Sequence, residues 1–212
     1  MIDKRTKKSI LSKMKRISEN VRKVEDASGI KYPLYYVEPV LTVVQSAESA
    51  LDGLGVLYAR TIPIESAGRV TIVVQLSAPL VLFGTPSILR LVLGHEFLHY
   101  VELVRQFVSM DITTQITTSS VFEERYTDSS RAVDPSMVFK DKKLARELRR
   151  KFSSGLDDPK LNEKCNSQWI EKGLPIQRLT LGKNQASVSI EAIMRSEFDP
   201  KVRELIMRFN GT

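Results

Sequence analysis

Gly94-His95-Glu96-Phe97-Leu98-His99-Tyr100 contains both histidines of a 212-residue chain. Four residues make just over one helical turn, so both imidazoles leave the same face of a helix and can share one metal ion. Glu96 stands between them, placed to act on a water held by such an ion. The flanks Val92-Leu93 and Tyr100-Val101 are apolar, and Glu96 is the only charge between Val92 and Val101. Burying two histidines and a glutamate without partners is costly, and a core has no use for such a trio. The trio therefore marks a candidate site.

Outward from this stretch, Thr85-Pro86-Ser87 reads as a helix start with proline in the first turn. The run from Ser87 to about Phe107 is apolar on most sides and predicts a buried central helix. On its N-terminal side the texture is β. Tyr32–Val37, Gly55–Ile64 and Arg69–Leu76 are rich in β-branched and aromatic residues, with a turn at Ser66-Ala67-Gly68. A short helix is expected around Val43–Leu51. Residues 3–26 predict an amphipathic helix, with Ile10, Leu11, Met14, Ile17, Val21 and Val24 at helical spacing. On the C-terminal side, Asp111 to Thr118 reads as a polar connection. Ser120-Val121-Phe122-Glu123 has the pattern of a capping box opening a helix to about Ala132. Beyond it are expected a basic helix over 140–152, a hairpin around Gly182-Lys183-Asn184 and a last helix over 200–209. The pattern amounts to an α+β fold in three stretches. These are a basic N-terminal helix (1–26), a core of sheet, histidine helix and glutamate helix (27–135), and a mainly helical C-terminal part (136–212).

Imidazole with carboxylate suits zinc, and a catalytic zinc site has three protein ligands and one open position. No third histidine exists, so the remaining ligand is Asp, Glu or Cys165. The metzincin pattern is excluded, because Arg105 stands where its third ligand falls and Glu102 where its glycine does. Glu102 shares the histidines' face but lies a turn beyond the point where an ion would sit. Glu124 is the better candidate. The capping box takes Glu123, Glu124 faces elsewhere on the expected helix, and Asp128 follows one turn on, able to orient a ligating imidazole.

His95-Glu96-Phe97-Leu98-His99 with Glu124-Arg125-Tyr126-Thr127-Asp128 resembles the gluzincin metallopeptidases, thermolysin-like zinc enzymes with HExxH followed by ExxxD. The resemblance covers about residues 69–128, and the chain length is similar to that of the minimal gluzincins. It implies a zincin-like fold, a small twisted mixed sheet packed on the central HExxH helix. It implies one catalytic Zn2+ held by His95, His99 and Glu124, with Glu96 as general base and Asp128 bonding His95. It further implies that backbone groups of Val70, Ile72 and Val74, on the family's edge strand, pair with an extended peptide or protein substrate. The family's oxyanion-stabilising residue has no counterpart motif here, leaving Tyr126, Arg125 and Arg131 as the groups within reach.

Composition narrows the alternatives. One cysteine excludes an intramolecular disulfide framework. No apolar run approaches the ~18 residues of a membrane span, and no signal-peptide core follows the basic N-terminus, which makes a cytoplasmic protein the expectation. The net charge is +7, and residues 1–24 hold nine basic side chains against Asp3 and Glu19, so the rest of the chain is neutral. That excess suggests a weak anionic partner for the N-terminal helix. The rival to a peptidase is a latent or non-catalytic zincin-like module that binds nucleic acid, a membrane surface or a protein. A Cys165 thiolate filling the open zinc position would produce such a module.

Overall fold

Residues 2–45, 53–114, 121–124, 133–153, 156, 158–180 and 186–210 are described by the structure, a computed structural model. Helix α1 (Lys4–Ser28) begins where the Asp3 carboxylate accepts the Thr6 amide at 2.5 Å and ends at Gly29, whose φ of 74° suits glycine. Its apolar stripe, Ile10, Ile17, Val21 and Val24, is buried. Lys4, Arg5, Lys7, Lys8, Lys15, Arg22 and Lys23 are exposed.

Five strands follow: β1 (Leu34–Glu38), β2 (Leu41–Gln45), β3 (Gly53–Leu57), β4 (Ala59–Ser66) and β5 (Arg69–Ser77). The expected single strand over Gly55–Ile64 is broken at Tyr58. This residue turns its buried ring away and donates its hydroxyl to Asn162 Oδ1 at 2.6 Å. The break lets β3 and β4 join different sheets. In the first sheet β5 lies between β1, which is parallel to it, and β4, which is antiparallel. In the second, β2 lies between antiparallel β3 and parallel β7 (Ile176–Thr180). The helix expected from Val43 is therefore a strand at its start. Val43 and Val44 are β-branched, and ladders on both sides satisfy their backbone. Residues 46–51 of that expected helix lie outside the described residues.

Helix α2 (Ala78–Phe83) is capped by Ser77 and carries Pro79 in its first turn. Helix α3 (Pro86–Thr114) starts where Thr85 Oγ1 accepts the Ile88 amide at 3.2 Å, and it runs a further two turns past Phe107. The connection expected from Asp111 thus begins inside the helix. A second correction concerns Ser120–Ala132. Residues Val121–Glu124 form strand β6, antiparallel to β8 (Ala186–Ser189), where the capping box implied a helix. Val121 and Phe122 favour a strand, and a ladder partner outweighs a local cap. The remainder of the expected helix lies outside the described residues.

The C-terminal third has α4 (Pro135–Val138), α5 (Lys142–Phe152), α6 (Pro159–Cys165) with a π-helical continuation over Asn166–Ile170, α7 (Ile190–Met194) and α8 (Pro200–Asn210). It is mainly helical, but β7 and β8 do not form the expected hairpin, since each pairs with an N-terminal or central strand. The class is α+β, with small mixed sheets. All three stretches contribute to one core that includes Ile17, Leu93, Phe97, Phe107, Leu148, Trp169 and Ile206. Helix α3 is its axis, touching α1, α5, α7, α8 and β4. Among the described residues no helix is long and apolar enough to cross a membrane.

The β4–β5 hairpin turns at Ala67 and Gly68, with φ of 51° and 69°, closed by the Ser66–Arg69 pair. Two positive φ values in a two-residue loop define a type I′ turn, which penalises a side chain such as alanine's. Replacing Ala67 with Asn should raise stability by about 0.5–1 kcal/mol, read as a higher denaturant midpoint at unchanged slope.

Candidate metal centre

Helix α3 has almost no polar face. Leu89, Leu91, Val92, Leu93, Phe97, Leu98, Val101, Leu103, Val104 and Phe107 are all buried, so His95, Glu96 and His99 are set into apolar surroundings. Glu96 is 3% exposed and His99 5%. The helix is fixed in depth by Tyr32, stacked on Phe97 with ring centroids 5.6 Å apart. The Tyr32 hydroxyl donates to the Leu93 carbonyl at 2.9 Å. Burial, with the charge of Glu96 nearby, pushes the Tyr32 phenol well above its ordinary pKa, so it stays a donor.

The two imidazoles converge. His95 Nε2 and His99 Nε2 are 3.1 Å apart, with rings edge to face at 83°. Burial, with His99 beside it, pulls the His95 pKa down to about 3. Burial likewise pulls His99 down to about 4, against the opposing charge of Glu102. Neutral imidazole is the metal-binding form. Two nitrogens at tetrahedral positions, each 2.0–2.1 Å from one zinc ion, lie about 3.3 Å apart, so the pair fits that group.

Glu96 points its carboxylate at the sheet. Thr61 on β4 donates its hydroxyl to Glu96 Oε2 at 2.7 Å, and Thr61 Oγ1 also lies 3.0 Å from the Glu96 carbonyl oxygen. Glu102 is committed elsewhere: Arg105 grips both its oxygens, at 2.9 and 2.7 Å, and Gln106 Nε2 adds a bond at 3.1 Å. Cys165 is buried on α6, and burial raises its thiol pKa against a hydrogen bond with Tyr58. Among the described residues no third His, Cys, Asp or Glu joins the histidine pair to make a metal-holding group. Glu124 has its backbone at the end of β6, with its side chain outside the described part, as are Asp128, Arg125, Tyr126 and Arg131.

The expected substrate edge is moved by one strand. β5 is the middle of its sheet, paired with β4 along its length and with β1 from Val73 onward, and the Val70 amide is taken by Ser196 Oγ at 2.7 Å. Val70, Ile72 and Val74 therefore do not form an edge. The edge is β4. In an antiparallel pair, residues alternate between bonding inward and outward. Ser77 donates to the Tyr58 carbonyl, and the Val70 amide turns away from β4. Register then places the outward N–H and C=O groups on Ala59, Thr61 and Glu65, with the Pro63 carbonyl between the last two.

Two further residues shape the centre. Thr61 is one. The other is Phe152, at the end of α5, whose ring lies flat on His95 with centroids 3.9 Å apart and planes at 10°. The spacing Leu144, Leu148, Phe152 carried that signal, an apolar stripe along a helix otherwise read for its charge. Compared with protein-family models, curated proteins and solved structures, the chain matches none.

The low imidazole pKa values set a pH dependence for the metal-free protein. In the unfolded chain both histidines take up protons near pH 6.5, whereas in the folded chain they stay neutral until about 4 and 3. The unfolded state binds more protons in that window, so stability is fully present above about pH 6.5 and falls as pH drops toward 4 and below. Denaturation midpoints measured from pH 7 to pH 4 should decline. His95→Leu combined with His99→Leu should flatten the decline.

Proposed function

We propose that the chain is a zinc-dependent metallopeptidase of gluzincin type with a zincin-like core, hydrolysing peptide bonds with Glu96 as general base. One observation carries the reading: two neutral imidazoles, His99 buried and His95 half-buried, meet at 3.1 Å beside a buried carboxylate on the same helix. His95 and His99 hold the ion, and Glu124, at the end of β6, supplies the third ligand, with Asp128 orienting His95. Zinc, when bound, supplies a Lewis acid that acidifies water and polarises the scissile carbonyl. Glu96 takes a proton from the attacking water and later delivers it to the leaving amine. The Thr61 hydroxyl holds that carboxylate in one orientation between the two transfers. Burial of Glu96 and His99 keeps water from those two groups and strengthens their electrostatic contacts.

The basic face of α1 supports an additional docking role. Lys4, Lys8, Lys15 and Arg22 share the outward side with a single exposed apolar residue, Leu11. Such a face suits phosphates better than a bilayer interior, which needs an apolar face to enter.

Replacing Glu96 with Gln should leave zinc bound while chelator-sensitive cleavage of an unfolded protein falls by about 10²–10⁴-fold. Glu124→Ala should lose the zinc itself, measured by elemental analysis after dialysis. Full zinc in Glu124→Ala disposes of that ligand, and undiminished cleavage by Glu96→Gln disposes of the enzyme.

A further inference from the structure

We propose that Phe152 is a positioning residue for the metal centre: its ring, flat against His95, fixes that imidazole in the orientation that turns Nε2 toward His99. The inference rests on the proposed zinc reading and extends it to a helix outside the HExxH segment.

The geometry is a clamp. One face of the His95 ring is covered by Phe152 at 3.9 Å and 10°, and the His99 ring meets it edge-on at 4.6 Å and 83°. A ligating imidazole is ordinarily held by a hydrogen bond from its other nitrogen. Among the described residues the His95 nitrogens have one partner, His99 Nε2 itself. Stacking thus restrains ring rotation from the flat face, alongside the Asp128 bond proposed above.

Helix α5 is built to deliver this contact. Leu144, Leu148 and Phe152 recur at four-residue spacing and face the core. Leu148 packs over Gly94, where a Cβ would meet both its methyl groups at 3.4 Å, and Phe152, one turn on, reaches His95, the next residue of α3. Polar ties hold α5 in register. Arg90 of α3 donates to Glu147 at 3.2 Å, and Arg149 donates to Asp134, the cap of α4, at 2.5 and 3.1 Å. Burial and neighbouring charges thus fix the helix, and the helix fixes the ring.

The test measures zinc affinity of the full chain by competition with a chromophoric chelator, together with the visible spectrum of the cobalt-substituted protein. Phe152→Ala should weaken zinc binding by about tenfold or more, the range typical of lost ligand-orienting partners. It should also alter the cobalt spectrum. Phe152→Tyr, which keeps the ring, should stay within about threefold of the parent, whereas Phe152→Leu, apolar but not flat, should follow Ala. Leu148→Ala opens the same helix interface without touching His95, and it should lower thermal stability while keeping zinc affinity. Unchanged affinity in Phe152→Ala, Phe152→Leu binding as tightly as Phe152→Tyr, or an equal loss in Leu148→Ala overturns the proposal. A parent protein that takes up no zinc, or His99→Ala that keeps it, overturns the metal reading and the role of Phe152 with it. Zinc lost in His99→Ala but unchanged in Phe152→Ala overturns the role of Phe152 alone.

Discussion

Placing two imidazoles and a carboxylate on a helix with almost no polar face is the constraint around which the rest is arranged. Each of those groups forfeits its water on burial, and nothing in an apolar core replaces it by default. The surrounding elements provide the replacements. β4 brings the Thr61 hydroxyl to Glu96, α5 brings an aromatic face to His95, and the histidines turn toward each other. Even the depth of the helix is pinned by a polar contact, the Tyr32 hydroxyl on the Leu93 carbonyl. The fold is thereby coupled to the chemistry, because loosening any of these elements exposes or orphans a buried polar group.

What could be read from sequence follows the range of the forces involved. The helix of the histidines was legible because its apolar pattern is local and its proline start unambiguous, and the α+β class followed from the change of period near Ala78. Pairing was less legible. Val43 and Val44 carried strand propensity, but their partner Arg178–Leu179 lies far along the chain, so only long-range ladders fix their state. Ser120–Glu123 shows the same conflict, a local cap pattern overruled by pairing of Val121 with Ser189. Which strand is the edge also depended on sheet order, and sheet order puts β5 between β1 and β4. The imidazole pair at the centre was written in four-residue spacing. Thr61 was not, and Phe152 showed only as the end of an apolar stripe, since each reaches the centre from a different element.

Charge and apolar packing serve different purposes on the two basic helices. On α1 most cations stand outward along a helix anchored through Ile10, Ile17, Val21 and Val24, while Arg16 turns in to donate to the Gly84 carbonyl. On α5 the cations flank an apolar stripe, and one of them, Arg149, ties the helix to Asp134 and holds the carboxyl pKa of that residue down to about 2. A reading by net charge alone would class the two together. Their buried sides separate them.

The stacking of Phe152 on His95 also gives the centre a history in time. A chain made from its N-terminus presents His95 and His99 well before residue 152 exists, and β7, which completes the second sheet, arrives later still. Domains of this kind fold as their distant pairings become available. The imidazoles are therefore made before the ring that covers one of them, and a chain stopped short of residue 152 lacks the wall on that face of His95.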